Sequence, residues 1–107
     1  MKDLVPIIID LEEAKNNKLN ESWLVTFGWA VKKLLGAMVG GVSIPVHLKG
    51  KPADVRSFVK TLGAEKKYIQ DYKKFGLDNP RTYKSKSTLD SAVGRFERKT
   101  GIKWPFK

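Results

Sequence analysis

The chain has 107 residues, of which 41% are hydrophobic and 30% are charged, so it is expected to form one globular domain rather than a disordered chain. The absence of cysteine excludes disulfides, thiolate metal sites and a cysteine nucleophile. The net charge of +10 lies mostly in the second half. Residues 1–50 hold six basic and five acidic residues, whereas residues 51–107 hold fifteen basic and six acidic residues. This asymmetry predicts an anionic partner for the second half.

The first segment shows little helical or strand periodicity. Residues 4–11 (LVPIIIDL) are apolar but contain Pro6, which cannot donate a ladder hydrogen bond, so they predict an edge strand or an extended arm. Residues 12–20 (EEAKNNKLN) are polar and predict a linker. We therefore expect one domain over residues 1–107, in which residues 1–19 form an arm or edge strand and a linker.

A helix is predicted over residues 21–39. Asn20 is a suitable N-cap, and the glycine pair at 40–41 is a suitable end. Apolar side chains fill one continuous arc of about 200° when residues are placed about 100° apart. Such a wide arc favours a central core helix. An interfacial membrane helix is the alternative, because the opposite arc carries lysines and Trp29.

Residues 42–49 (VSIPVHLK) alternate between apolar and polar side chains and predict a strand. Pro45 favours an edge position for this strand. His47, the one histidine of the chain, falls on the polar side of the strand. We expect it to be incidental rather than catalytic.

A second helix is predicted to begin at Pro52, a residue type favoured at the first helical position, and its apolar residues repeat at helical spacing as far as Phe75. Gly63 either interrupts this helix or is tolerated at a cost of about 1 kcal/mol. Gly76 is the expected stop. The helix lengths and turn pattern here do not match a helix-turn-helix motif.

The last third of the chain predicts a turn, a loop, a helix and a tail. Residues 76–80 (GLDNP) are turn formers, and residues 81–86 (RTYKSK) predict an exposed basic loop. Residues 87–90 (STLD) resemble a capping box and predict the start of a third helix, with Gly101 as its stop. The tail from residue 102 alternates in polarity and is expected to be extended.

Together these elements predict an α+β fold. A central amphipathic helix and two further helices would pack with a short sheet of two or three strands. A mainly helical domain is the alternative, because each predicted strand is short.

Basic residues of the second half are the strongest functional signal. Lysine and arginine displace counterions from phosphates, and aromatic side chains stack on unpaired bases. We expect these residues to bind nucleic acid or another polyanion: Lys66, Lys67, Lys73, Lys74, Arg81, Tyr83, Lys84, Lys86, Arg95, Arg98, Lys99 and Lys103. The alternative is that they form ordinary solvated helix faces.

Two further functional classes remain open. A structural or assembly protein of a virion would act through protein contacts or self-assembly, with Trp29, Trp104 and Phe106 as interface residues. A peripheral membrane protein would bind a lipid surface through residues 21–39.

No pattern in the chain predicts catalysis. A P-loop, a dinucleotide fingerprint and a GxSxG motif are all absent. With one histidine and no cysteine, the chain offers no second imidazole or thiol for a metal site. We therefore expect a non-enzymatic protein without cofactor or metal, and we identify no small-molecule substrate.

Two stretches resemble small proteins of unassigned function encoded by tailed bacteriophages. They are SWLVTFGWAVKKLLGAMVGG at residues 22–41 and GLDNPRTYKSKSTLDSAVGRFERKTGIKWPF at residues 76–106. The resemblance implies a virion component or an early protein acting on host or phage nucleic acid. It therefore implies a location in the host cytoplasm or in the virion, and it implies no catalytic residue.

Overall fold

The structure is a computed structural model that describes residues 6–106. The chain has the predicted α+β fold. Its elements in chain order are β1 (Ile7–Asp10), α1 (Leu11–Asn16), α2 (Glu21–Val39), β2 (Val46–Lys49), α3 (Pro52–Phe75) and α4 (Pro80–Thr100). Helix α2 contacts both the sheet and α3, and α4 packs along α3, so that all these elements contribute to one hydrophobic core.

The sheet of the described residues consists of two parallel strands, with Ile7 opposite Val46 and Asp10 opposite Lys49. The side chains of Ile7 and Ile9 are buried, whereas Ile8 between them is 60% exposed. One face of the sheet therefore packs on the core. The predicted strand over residues 42–49 is confirmed only from Val46 onward, and positions 4 and 5 of the first predicted strand lie outside the described residues.

The linker prediction for residues 12–20 is wrong over most of its length, because Leu11–Asn16 form helix α1. The Asp10 carboxylate caps this helix by accepting hydrogen bonds from the backbone N–H groups of Glu12 and Glu13. Burial of Leu11 and Ala14 against the core holds so short a helix in place, since six residues are too few for a stable helix in water.

An ion pair between Lys15 and Asp54 joins α1 to the start of α3. Asp54 is buried, and the hydrogen bond between the two side chains raises the pKa of Lys15 above its usual value against the opposing effect of its own desolvation. The polar segment after β1 is therefore anchored to the longest helix of the fold.

Helix α2 has the predicted bounds, and the Asn20 side chain caps it by accepting a hydrogen bond from the backbone N–H of Trp23. Phe27, Val31 and Leu34 are buried in the core. The centre of the apolar arc is thus covered by the rest of the protein. Within residues 6–106, no helix is long and apolar enough to cross a membrane.

Helix α3 runs without interruption through Gly63, as one of the two predicted alternatives requires, and it ends at Gly76 as predicted. Phe58 of α3 packs on Phe96 of α4 with 6.0 Å between ring centroids, and it packs on Trp104 of the tail at 5.8 Å. These three side chains are almost completely buried and form the aromatic centre of the core.

Helix α4 begins at Pro80 rather than at the predicted capping box in residues 87–90. Asn79 is the N-cap, and its side chain accepts a hydrogen bond from the backbone N–H of Arg81. Residues 81–86, expected to form a loop, are therefore the first turns of the helix. The Thr88 hydroxyl donates to the Lys84 carbonyl one turn earlier, which accommodates it within a helix rather than at its start.

Candidate functional site

Helices α3 and α4 form an antiparallel hairpin joined by residues 76–79. The contacts between them fix this direction, because Ser85 near the start of α4 donates to Asp71 near the end of α3. Farther from the turn, the Thr61 hydroxyl is within 3.3 Å of the Ala92 carbonyl. One side of each helix faces the core, and the other sides form a channel at the surface.

Two adjoining clefts, of about 390 and 420 Å³, lie along this channel and share Ala64 and Thr88. We call the whole channel the hairpin groove, and its lining residues are Lys60, Ala64, Lys67 and Asp71 of α3 with Arg81, Lys84, Ser85, Ser87, Thr88, Ser91, Ala92 and Arg95 of α4. The small side chains of Ala64 and Ala92 leave the channel open between the longer side chains.

The groove is positively charged along its length. Its five cations are distributed over both ends, since the first cleft holds three of them and the second holds Lys60 and Arg95. The hydroxyls of Ser87 and Ser91 lie in the second cleft as well. Asp71 is the only carboxylate among the lining residues. Such a surface attracts anions and offers them hydrogen-bond donors.

Asp71 lies at the bottom of the first cleft, where only 5% of the residue is exposed. One carboxylate oxygen accepts from the Ser85 hydroxyl, and the other lies 3.2 Å from the Lys67 ammonium. The carboxylate therefore has partners on both helices. The ion pair limits the conformations of Lys67, which lines the groove and whose side chain is 68% exposed.

Arg81 is held at the same end by a different contact. Its guanidinium carbon lies 4.9 Å from the centroid of the Phe75 ring, within the range of a cation–π interaction. Arg81 is exposed, so this contact limits its conformations while leaving its N–H donors free to face solvent or an anion.

Asp71 also makes the fold sensitive to acid. The Ser85 hydrogen bond, followed by the hydrogen bond and charge of Lys67 and the charge of Arg81, holds the pKa of Asp71 below its usual value of 3.8, although burial opposes this shift. The folded state thus binds fewer protons than the unfolded state at pH values just below the usual pKa. The contact stabilises the fold above about pH 4 and loses its effect as pH falls through the lower folded pKa.

We therefore expect the stability of the Asp71→Asn variant to fall less than that of the wild type as the pH is lowered below about 4. Urea unfolding midpoints measured at each pH test this expectation. Asp78→Asn, which removes an exposed carboxylate on the turn between the helices, is the matched control and should leave the wild-type acid dependence largely intact. An acid dependence of Asp71→Asn identical to that of the wild type would contradict the role assigned to Asp71.

The structure brings together four of the twelve predicted binding residues. Lys67, Arg81, Lys84 and Arg95 line the hairpin groove. Lys73 lies elsewhere, in a cleft between α2 and α3. The remaining predicted cations do not line the groove: Lys66, Lys74, Lys86, Arg98, Lys99 and Lys103.

Several of these other residues have contacts of their own. The Lys86 ammonium lies 3.6 Å from the Asp90 carboxylate, and Lys74 lies 5.3 Å from the Phe75 ring centroid. Tyr83 is 57% exposed beside the groove residue Lys84, with its hydroxyl 3.5 Å from Asp78. Tyr83 thus remains accessible, although it does not line the groove.

Sequence reasoning missed Lys60, which lines the second cleft. The signal was present, because Lys60 and Lys67 are seven residues apart and therefore lie on one face of a helix. The interpretation of residues 81–86 as a loop concealed the corresponding series on α4. Arg81, Lys84 and Arg95 follow one another at helical spacing only when the helix begins at Pro80.

Trp104 was predicted as an interface residue, and this is wrong. Only 2% of Trp104 is exposed, and its indole N–H donates to the Glu65 carboxylate at 2.9 Å. The tail crosses the core so that Ile102 and Trp104 point inward and Lys103 points outward. The other two predicted interface residues remain accessible, with Trp29 65% and Phe106 36% exposed.

Within residues 6–106, no cluster of three or more histidine or acidic side chains is placed to hold a metal ion. Comparison with known proteins does not extend these observations: no protein family, curated protein or solved structure matches the chain. A functional assignment therefore rests on the residues that the structure itself brings together.

Proposed function

We propose that this chain is a non-enzymatic protein that binds nucleic acid through the hairpin groove. The observation that carries the proposal is the alignment of five cations along one channel whose only carboxylate, Asp71, is buried and already paired with Ser85 and Lys67. A chain of phosphates could follow this channel without meeting an exposed negative charge of the lining.

The distribution of donors favours phosphate contacts over base recognition. Lys60 and Arg95 lie in one cleft of the groove together with the hydroxyls of Ser87 and Ser91, and Lys67, Arg81 and Lys84 lie in the other cleft. Lysine, arginine and hydroxyl donors to phosphate fix the position of a nucleic acid but carry no sequence information. We therefore expect binding with little sequence preference.

The size of the site limits the affinity. Five cations are available, and one of them, Lys67, shares its charge with Asp71. Sequence-independent phosphate contacts of this number are typical of dissociation constants on the order of 10⁻⁴–10⁻⁶ M at physiological salt. The resemblance to tailed-phage proteins is consistent with such a role in the host cytoplasm or in the virion, and the location stays a prediction.

The test is fluorescence anisotropy with a labelled 25-nucleotide DNA, single-stranded and as a duplex, over a range of salt concentrations. The Arg81→Ala/Lys84→Ala/Arg95→Ala variant is expected to bind at least about tenfold more weakly. Its plot of log affinity against log salt should be flatter by about 2–3 units, since each lost phosphate contact removes roughly 0.7–0.9.

A matched control distinguishes the groove from total charge. Lys49→Ala/Lys99→Ala/Lys103→Ala removes the same three charges from exposed positions that do not line the groove. Its slope should stay near that of the wild type. Equal losses in the two triple variants would show that charge alone matters and contradict the groove, and no binding of the wild type at low salt would contradict nucleic-acid binding altogether.

A further inference from the structure

A second channel, which the proposed function does not use, runs along the exposed side of α2. Two clefts of about 530 and 730 Å³ meet there, and both are lined by Lys32 and Phe106. Helix α2 forms one wall along the whole length. The tail forms the opposite wall at Pro105 and Phe106, and α3 continues this wall at Ile69. We call this channel the α2 groove.

The α2 groove contains two large apolar side chains of α2 that are exposed. Val25 is 72% and Trp29 65% exposed, and they stand one helical turn apart on the wall of the larger cleft. Gly36 continues the same side two turns beyond Trp29, and apart from its own stretch of helix no atom lies within 4 Å of the place where a side chain of Gly36 would begin. Exposed aromatic and aliphatic side chains beside an open glycine are typical of a surface that receives a partner.

The charges around this channel indicate the charge of a complementary partner. Lys32 and Lys73 line it, and Lys33 flanks it with its ammonium 5.4 Å from the Trp29 ring centroid. Two acids also line the channel. Glu21 lies at the α2 N-terminus, and Glu65 is buried and accepts the indole N–H of Trp104. A complementary occupant therefore combines an apolar stripe with negative charges on both sides of it.

We propose that the α2 groove binds an acidic amphipathic helix of a partner protein. The channel extends from Glu21 to Gly40, a length of about 28 Å at 1.5 Å per residue, which matches about five turns of a bound helix. Apolar anchors at helical spacing would contact Trp29, Phe106 and Ile69, while carboxylates would meet Lys32 and Lys73.

A second copy of this chain is a poorer occupant. Two copies would bring the lysines of both α2 grooves together, and each copy carries a net charge of +10. Like charges facing each other in an interface oppose association. The partner is therefore a different, acidic chain.

The test uses two synthetic 18-residue helical peptides and isothermal titration calorimetry with the full chain. Both peptides carry leucine or phenylalanine at positions i, i+3, i+4 and i+7. One has glutamate on its flanks, and the other has lysine at the same positions. We expect the glutamate peptide to bind and the lysine peptide to bind at least about tenfold more weakly, since every 1.4 kcal/mol of lost interaction is a factor of ten.

Variants locate the binding. Trp29→Ala and Lys32→Glu should each weaken binding of the glutamate peptide about tenfold. The controls Leu77→Ala and Lys49→Glu change an exposed apolar residue and an exposed lysine elsewhere, and they should have little effect on this binding. The Arg81→Ala/Lys84→Ala/Arg95→Ala variant should retain the peptide. Peptide binding is thus measured independently of nucleic-acid binding, and either proposal can fail alone.

Four outcomes would overturn the inference. They are no binding of the glutamate peptide, equal binding of the two peptides, unchanged binding by Trp29→Ala, and loss of binding only in the triple variant of the hairpin groove. Trp29-dependent dimers in sedimentation equilibrium, or Trp29-dependent binding to vesicles of anionic phospholipid without peptide binding, would instead assign the surface to a second copy or a membrane.

Discussion

Replacing Trp104 by alanine is expected to destabilise the fold by about 3–5 kcal/mol, the cost of removing a large aromatic side chain from a packed core. Trp104 is 2% exposed, and its ring packs against Phe58 at 5.8 Å and against Phe96 at 5.5 Å between centroids. The truncation would leave a cavity among these rings. It would also remove the indole N–H that donates to Glu65, a residue only 5% exposed.

Thermal and urea unfolding followed by circular dichroism measure this effect. A loss of 3 kcal/mol corresponds to a melting temperature lower by roughly 12 °C or more in a domain of this size. Trp104→Phe separates the two contributions, because it keeps a ring in the core while removing the donor to Glu65. It should fall between the wild type and Trp104→Ala.

Trp29→Ala is the matched control for position, since it removes an equally large side chain from a site that is 65% exposed. Its stability should stay within about 0.5 kcal/mol of the wild type. A similar small effect of Trp104→Ala would show that the tail does not pack into the core, and the whole account of the aromatic centre would then be wrong.

Gly50→Ala is expected to cost about 1–3 kcal/mol, the usual range for backbone strain at one residue. Gly50 connects β2 to α3 with a φ of 146°, a conformation that residues with a side chain rarely adopt. A Cβ atom at this position would lie 3.0 Å from the Cβ of Leu11. Leu11 is completely buried and cannot move aside without disturbing the contact between α1 and the core.

Gly63→Ala is the control that should change stability in the opposite direction. Gly63 lies in the middle of α3, where an added Cβ would meet no atom within 4 Å outside its own stretch of helix, and alanine is the better helix former by about 1 kcal/mol. Urea midpoints of both variants test the pair of expectations. Stabilisation by Gly50→Ala, or a clear loss of stability in Gly63→Ala, would contradict the backbone description of those positions.

The two proposed surfaces share helix α3. Lys60 and Lys67 contribute to the hairpin groove, whereas Ile69 and Lys73 contribute to the α2 groove. Because different residues of α3 serve each channel, the two proposals together describe a small protein that could hold a nucleic acid and an acidic partner at the same time. The peptide and DNA titrations above can be combined to measure whether one ligand changes the affinity for the other.

Local chemistry in the sequence was sufficient for the elements that carry their own start and stop signals. Helix α2 follows from Asn20, from a glycine pair at its end and from a wide apolar arc. Helix α3 follows from Pro52 and Gly76, and Gly101 ends α4 in a left-handed conformation with a φ of 75°. These signals act within a few residues, through cap hydrogen bonds and backbone conformation, so they can be identified in one sequence.

Long-range contacts determine the structure of the two segments for which the sequence-based predictions were wrong. Leu11–Asn16 form helix α1 because Leu11 and Ala14 are buried in the core and Lys15 forms an ion pair with Asp54. Residues 81–86 are helical because Asn79 caps the helix that they begin. The hydroxyls of Thr82 and Ser85 also donate hydrogen bonds to α3 and to the turn that follows it. Local propensity is weak beside such contacts.

The net charge of +10 and its concentration in the second half follow from the sequence alone, and they predict an anionic partner without any structure. Which cations act together depends on how two helices pack. Lys60 and Lys67 line one groove with Arg81, Lys84 and Arg95 only because α3 and α4 pack as an antiparallel pair. Lys73 of α3 lines another channel. Trp104 is buried, with its indole N–H bonded to Glu65 and its ring packed on two phenylalanines. Charge is a property of the chain, but a surface requires residues distant in sequence to share one side of the folded molecule.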